Sequence, residues 1–361
     1  MTFLKSRNTG LKQKSADWVA ARQSVIGASE ISALTRSSPF ESPESLLQKK
    51  IQPTSMHNNT ACTWGKIFEP VLRKYFEQKH SVSVFGHSIN LNLPRDHPLY
   101  GKVTCSPDGY YFNKNNELIL LEFKCPFKRK IAVSKIPSYY IDQIQTGLAS
   151  SGESVNKGLF VDAFFRMCSL KQLEPSLIHN QDLNGGNKYK TKTNSVLAWG
   201  ICYLFSKQKI YKNQKAIIDL GSPKTSTALF NKKMVSISEK DVWCRYNKTH
   251  MSFTKKDEDE EFLRLKRMEK AFNDNNSESI KPVACFGYKL LDIIEIQVTK
   301  QHNFLENMQE SIECFHKNLS SLKQRVSDLT YGCPIDPVEV TAGDDSEFVE
   351  QFLRRQHTRS F

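Results

Sequence analysis

Apolar positions along this chain recur with two different spacings, and the change of spacing marks out its elements. From Trp64 to Lys79 they fall at Ile67, Val71, Leu72, Tyr75 and Phe76, a single helical stripe. Pro70 is tolerated near a helix start, which places the first turn at Lys66 to Glu69. From 82 to 93 the pattern alternates as in a strand, at Val82, Val84, Phe85, Ile89, Leu91 and Leu93, and Pro94 to Gly101 reads as a loop. Tyr110 to Phe112 and Glu117 to Cys125 read as a hairpin turning at Asn113 to Asn116. Ser138 to Ser150 returns to a helical stripe of Tyr140, Ile144 and Leu148, and Gly158 to Met167 is apolar enough for a buried central strand. This order predicts an α/β core with a mixed central sheet and flanking helices.

The flanks are read the same way. Residues 1–14 are polar and basic and predict a flexible N-terminus. Between Ser15 and Leu34 the pattern is helical, with Ser15 or Asp17 capping a first helix that carries Trp18, Ala21 and Arg22. Ile26-Gly27-Ala28-Ser29 breaks it, and Ser29 is placed as the cap of a second helix through Glu30, Ile31 and Leu34. Residues 171–195 read as an exposed loop, Val196 to Phe205 as a strand, and Asp257 to Glu261 as the acidic, solvated start of a helix carrying Phe262, Leu265, Met268 and Phe272. Tyr288 to Val298 predicts a strand. Asn303 to Val326 predicts a helix with Phe304, Met308, Ile312, Phe315, Leu319 and Leu322 inward. Residues 327–361 are a polar tail with a short helix at Asp345 to Arg354.

Alternation along the second hairpin strand puts Glu122 and Lys124 on one face and Leu121 and Phe123 on the other. A carboxylate and an ammonium on one face of an apolar strand are costly unless that face is a site. The Ser106-Pro107-Asp108-Gly109 turn brings Asp108 near Glu122. Mg²⁺ takes oxygen ligands, commonly one or two carboxylates with water and substrate phosphate, and a neighbouring lysine offsets charge on the phosphorane. Asp108, Glu122 and Lys124 follow the order of the PD-(D/E)xK nuclease pattern; a solvated hairpin with a surface ion pair fits the same short motif. Glu69 either faces the same metal or serves as a helix-dipole partner. Gln143 either orients water or a DNA phosphate or lies at the surface. Arg22 and Ser29 either form an anion site at a helix N-terminus or a plain corner between helices.

Charge and cysteines narrow the setting. Of 361 residues, 51 are Lys or Arg and 38 are Asp or Glu, a formal net charge of +13 that favours polyanion partners. Nine cysteines are scattered without a C-x-x-C pair, which argues against zinc and against a four-cysteine iron–sulfur cluster and for reduced thiols inside a cell. No apolar run reaches transmembrane length and no signal-peptide core begins the chain, so a soluble protein of the cytoplasm or nucleus is expected.

Five blocks in one order carry a resemblance. They are Trp18-x-x-x-Arg22 with Gly27-Ala28-Ser29-Glu30, Gly65-x-x-x-Glu69, Ser106-Pro107-Asp108-Gly109, Leu121-Glu122-Phe123-Lys124-Cys125-Pro126, and Tyr140-x-x-Gln143-x-Gln145. With them the chain resembles the lambda-exonuclease type of viral recombinase, the YqaJ-like branch of the PD-(D/E)xK nucleases. The resemblance implies a restriction-endonuclease-like core over residues 15–326, with an insertion near 171–282. It implies Mg²⁺, or Mn²⁺ in its place, held by Asp108 and Glu122 with Glu69 in the cluster, Lys124 as catalytic lysine and Gln143 as orienter. Arg22 and Ser29 are then expected to bind a 5′-phosphate, and Tyr140, Gln145, Lys128 and Arg129 to make further DNA contacts. The implied activity is digestion of one strand of duplex DNA from its 5′ end, leaving a 3′ strand for an annealing partner, by a protein that assembles as a trimer. An endonuclease on the same core and a non-catalytic DNA-binding factor are the alternatives.

Overall fold

The structure is a computed structural model and describes residues 2–11, 15–52, 60–87, 89–127, 131, 135–168, 196–206, 214–218, 233–237, 242–246 and 282–330. In chain order the elements are α1 (Thr2–Arg7), α2 (Ala16–Arg22), β1 (Ile26–Gly27), a 3-10 turn (Ala28–Glu30), α3 (Ile31–Leu34), α4 (Pro43–Ile51) and α5 (Thr60–His80). There follow β2 (Leu91–Asn92), β3 (Val103–Cys105), β4 (Gly109–Phe112), β5 (Leu118–Lys124), α6 (Ser138–Ser151) and β6 (Lys157–Cys168). The remainder are β7 (Ala198–Ser206), β8 (Gln214–Ile218), β9 (Lys233–Ile237), β10 (Val242–Tyr246), β11 (Pro282–Thr299) and α7 (Gln309–Thr330).

The main sheet has the order β10-β7-β11-β6-β5-β4 and is mixed: β5 and β6 run parallel, and every other neighbouring pair is antiparallel. A parallel pair needs a crossover, and α6 supplies it. The sheet is covered on both sides, which is why β5 is apolar at every position but Glu122 and Lys124. On one face Leu121, Phe123, Val161 and Phe165 pack with Ile67, Phe68, Leu72 and Phe76 of α5. On the other, Leu118, Leu120 and Phe160 pack with Ile144 and Leu148 of α6. A third apolar cluster joins Ile31, Leu46 and Leu47 to Ile312, Phe315 and Leu319 of α7. The expected α/β core with a mixed sheet and flanking helices is what forms.

Several boundaries depart from the sequence pattern. The N-terminus is not frayed throughout: α1 forms, Leu4 is buried, and Arg7 Nη1 donates to the Ser150 carbonyl at 3.1 Å. Polar composition cannot reveal one leucine that docks on a distant helix. Helix α5 begins at Thr60, so Pro70 lies inside it and Glu69 is mid-helix rather than in the first turn. Tertiary packing of its apolar stripe outweighs the local penalty of one proline. The alternating stretch 82–93 yields only β2 and an isolated bridge between Phe85 and Tyr110, and the short β1 and β3 were not legible at all. Helix α7 starts at Gln309, residues 302–308 being turns that still pack Phe304 and Met308 inward. Strands β7 and β10 fall within 171–282 yet hydrogen-bond into the main sheet. The loop at 171–195, the helix near 257–272, the C-terminal helix at Asp345 to Arg354 and the basic run Lys128 to Lys130 lie outside the described residues. Among the described residues no helix is long and apolar enough to cross a membrane.

Candidate active site

The hairpin places its charged residues as alternation requires. Leu121 and Phe123 enter the α5 core, and Glu122 and Lys124 point to the α6 side near the end of β5. Gly109 pairs with Leu121, so Asp108 stands just beyond the hairpin pairing, and its Oδ2 accepts the Phe123 N–H at 2.8 Å. Lys124 Nζ donates to Glu122 Oε1 and sits 4.9 Å from the centre of the Tyr140 ring. Glu122 is only 4% exposed, so the solvated surface ion pair does not form.

Electrostatics mark the same place. Burial first, then the Asp108 charge, push the Glu122 carboxyl up to about 8, against the pull of Lys124; Glu69 adds a smaller push. Burial works against the Lys124 ammonium, but Glu122 and Asp108 hold its proton more firmly than usual. Two carboxyl groups facing one ammonium, one of them kept from ionising by burial and its neighbour's charge, form a donor set suited to a hard divalent cation, which would favour the ionised form. The three-carboxylate cluster is not assembled: among the described residues no group of three His, Cys, Asp or Glu side chains is gathered as a metal would need. Asp108 and Glu122 suffice as protein ligands for Mg²⁺, which keeps water and takes substrate phosphate; Glu69 contributes charge from α5.

The Arg22 corner is built beside this site by a strand the sequence did not announce. Strand β1 pairs in parallel with β3, Gly27 opposite Thr104, and β3 runs on through Ser106 and Pro107 to Asp108. The buried Cys105 thiol lies between the two centres: burial raises it most, Glu122 and Asp108 raise it further, and Arg22 opposes them. Close approach of α6 is possible because Gly147 lacks a side chain; a Cβ there would lie 2.9 Å from Leu120 Cδ2 and 3.3 Å from Cys105 Sγ.

Within the corner, Arg22 Nη2 pairs with Glu30 Oε1 at 2.9 Å, and its guanidinium lies 5.0 Å over the Trp18 ring. Glu30 Oε2 accepts the Gly27 N–H at 2.8 Å and Lys50 Nζ at 2.7 Å. Lys50 also donates to the carbonyls of Arg22 and Val25 at 2.7 and 2.8 Å, so its three protons are all used. Ser29 is therefore not the cap. The Glu30 carboxylate caps Gly27, and Ser29 is left exposed on the 3-10 turn. That turn and the four-residue α3 carry little dipole, so any anion affinity here rests on Arg22.

Other candidates separate. Tyr140 is half-buried against Lys124, with Gln143 one helical turn further on the same side of α6. Gln145 is not available to DNA: it is 1% exposed, its amide donates to the Thr299 carbonyl at 2.9 Å and its oxygen accepts the Gln301 N–H at 2.8 Å. Two helical positions beyond Gln143, it turns inward and ties α6 to the end of β11. Lys128 and Arg129 lie outside the described residues. Sequence reasoning missed Lys50, near the end of α4, and Asp162, fully buried opposite Lys124 in the β5–β6 register. A lone Asp inside the apolar β6 run was the available signal.

The chain is similar to several known proteins. Protein D345L of African swine fever virus (strain Badajoz 1971 Vero-adapted) is 27% identical over 345 residues, covering 89% of this chain and 90% of that protein. Its counterpart from isolate Tick/Malawi/Lil 20-1/1983 matches at the same identity and extent, 27% over 345 residues. Among solved structures, an alkaline exonuclease (LHK-Exo) from Laribacter hongkongensis covers 89% of this chain and 100% of its own, at 12% identity and a TM-score of 0.40. The same protein in complex with dAMP gives 13% identity and a TM-score of 0.42, too low for residue roles to be carried across. Residues 17–154, which contain all five sequence blocks with Arg22, Glu69, Asp108, Glu122, Lys124 and Gln143, match the YqaJ-like viral recombinase domain, and the resemblance to that family holds over the segment where the chemistry is gathered.

Proposed function

We propose that this chain is a metal-dependent deoxyribonuclease that digests one strand of duplex DNA from its 5′ end and leaves a 3′ single strand for recombination or replication by annealing. The observation that carries the reading is the buried Glu122 carboxylate beside Asp108, paired with Lys124, one short strand away from the Arg22 corner. In this reading Asp108 and Glu122 hold Mg²⁺, or Mn²⁺ as a substitute, with Glu69 adding negative charge nearby. The ion supplies polarisation of the scissile phosphate and a more acidic water. Lys124 offsets charge on the reacting phosphate, and Gln143 orients water or a phosphate oxygen from α6. Arg22, steadied by Glu30 and Trp18, offers its remaining N–H groups with the Ser29 hydroxyl to a terminal 5′-phosphate. The net charge of +13 assists encounter with DNA. An annealing partner and a trimeric assembly belong to the same proposal by resemblance.

Linear duplex DNA labelled at its 5′ or 3′ end, with Mg²⁺ or EDTA and with a closed circle in parallel, tests it. Metal-dependent early loss of the 5′ label with the circle intact is the expected result. Cutting of the circle would make the protein an endonuclease, and no cutting with any divalent metal would reduce it to a DNA-binding factor.

A further inference from the structure

We propose that Phe40, backed by Tyr139, seats an unpaired nucleobase of the strand entering the site; the inference rests on reading that site as one for nucleic acid. Phe40 is 81% exposed, far more than the next large apolar side chain among the described residues, Val19 at 47%. Its loop is nevertheless held firmly. The Phe40 and Glu41 N–H groups both donate to Ser38 Oγ at 3.2 Å, and the Ser38 N–H donates to the Ser32 carbonyl at 3.0 Å. Thr35 Oγ1 and Ser37 Oγ donate to Asp142 Oδ2 at 2.6 and 2.5 Å, which fastens the loop to α6. A ring kept out in water by an anchored backbone is preorganised for a partner that covers it.

The ring also begins a row that leads inward. Phe40 meets Tyr139 edge-on at 5.6 Å between centroids, Tyr139 lies 4.2 Å from Tyr140, and the Tyr140 ring lies 4.9 Å from Lys124 Nζ. Lys124 in turn is bonded to Glu122. Because Glu122 is recessed, a strand must part from its complement to bring a phosphate there, and the freed bases lose their stacking neighbours. Aromatic faces replace that stacking without regard to sequence, which suits digestion that does not read bases. With 81% of its surface exposed, Phe40 keeps ring surface for a base beside the T-shaped contact with Tyr139.

The test uses the full chain in EDTA with a duplex carrying 2-aminopurine at its 5′ terminus, whose fluorescence falls on stacking. The wild type and Phe40→Trp should quench it. Phe40→Ala should lose the quenching and bind the end roughly 5- to 100-fold more weakly, the range that loss of one base–aromatic stack gives. An abasic terminal residue should weaken the wild type to the same level and leave Phe40→Ala unaffected. Quenching by Phe40→Ala equal to wild type overturns the proposal, as does an unchanged signal with a smaller assembly in sedimentation, which would assign Phe40 to a contact between copies. The labelled-DNA assay separates the two readings. If the wild type cuts and Phe40→Ala still quenches, only the base seat falls. If quenching depends on Phe40 but nothing is cut with any metal, the nuclease reading falls and the base seat stands.

Discussion

Replacing Glu30 by Gln keeps the shape of the side chain and removes one buried charge from between Arg22 and Lys50. Burial alone would raise the Glu30 carboxyl, but the charges of Arg22 and Lys50, with hydrogen bonds from Lys50 and the Gly27 N–H, hold it at about 2 against an ordinary 4.5. At about 1.4 kcal/mol per unit, that drop corresponds to about 3 kcal/mol of stability. Breaking a buried pair by removing one partner costs about 3–5 kcal/mol on independent grounds. Lys50 is itself only 4% exposed and burial pushes its ammonium down, so the lower end of that range applies. The sign follows from the depressed acid: the contribution is complete above 4.5 and is lost as the pH falls through about 2. Urea unfolding of Glu30→Gln should therefore show a deficit of about 3 kcal/mol at pH 7 that narrows to about 2 kcal/mol at pH 3.5. Adding Lys50→Met to Glu30→Gln should restore part of it, because the buried ammonium is then gone and only the partly exposed Arg22 guanidinium is left without its carboxylate. A deficit under about 1 kcal/mol at pH 7, or one that does not narrow on acidification, would refute the reasoning.

Two further outcomes follow from the same geometry. Glu122 has its folded pKa raised to about 8 by burial and then Asp108, so the folded protein holds a proton the unfolded chain releases between 4.5 and about 8, and stability declines as pH rises across that window. Glu122→Gln should flatten this decline in a calorimetric Tm series without added metal while abolishing DNA cleavage; a mutant with the wild-type slope or wild-type cutting sinks the assignment. In Gly27→Ala the new Cβ would lie 2.4 Å from Arg22 Nη2 and 2.8 Å from its Cζ, forcing the guanidinium off Glu30. Its preference for 5′-phosphorylated over 5′-hydroxyl ends should fall about tenfold, as loss of a charged hydrogen bond implies; an unchanged ratio of digestion rates would place the phosphate elsewhere.

The chain's own pattern determined the parts that depend on near neighbours. Alternation along Leu118 to Lys124 was enough to put Glu122 and Lys124 on one face, because side-chain direction in a strand is fixed by the backbone. Helical spacing found α6 almost to the residue, and the turn before Gly109 brought Asp108 to the hairpin's mouth. What only the tertiary structure decided are contacts between residues far apart in the chain. Leu4 docks near α6 although its segment is polar, and β1 and β3 are too short to announce themselves, yet their pairing carries the Arg22 corner to the acidic site. Lys50 becomes the partner of Glu30 across 20 residues, and Gln145, next but one to Gln143, is claimed by the backbone near Thr299. Glu69 keeps an electrostatic hold on Glu122 without joining it in a three-carboxylate cluster. A sequence lists which groups are available for burial. Which of them meet, and so which charges must be compensated, is set by long-range packing that no local period encodes.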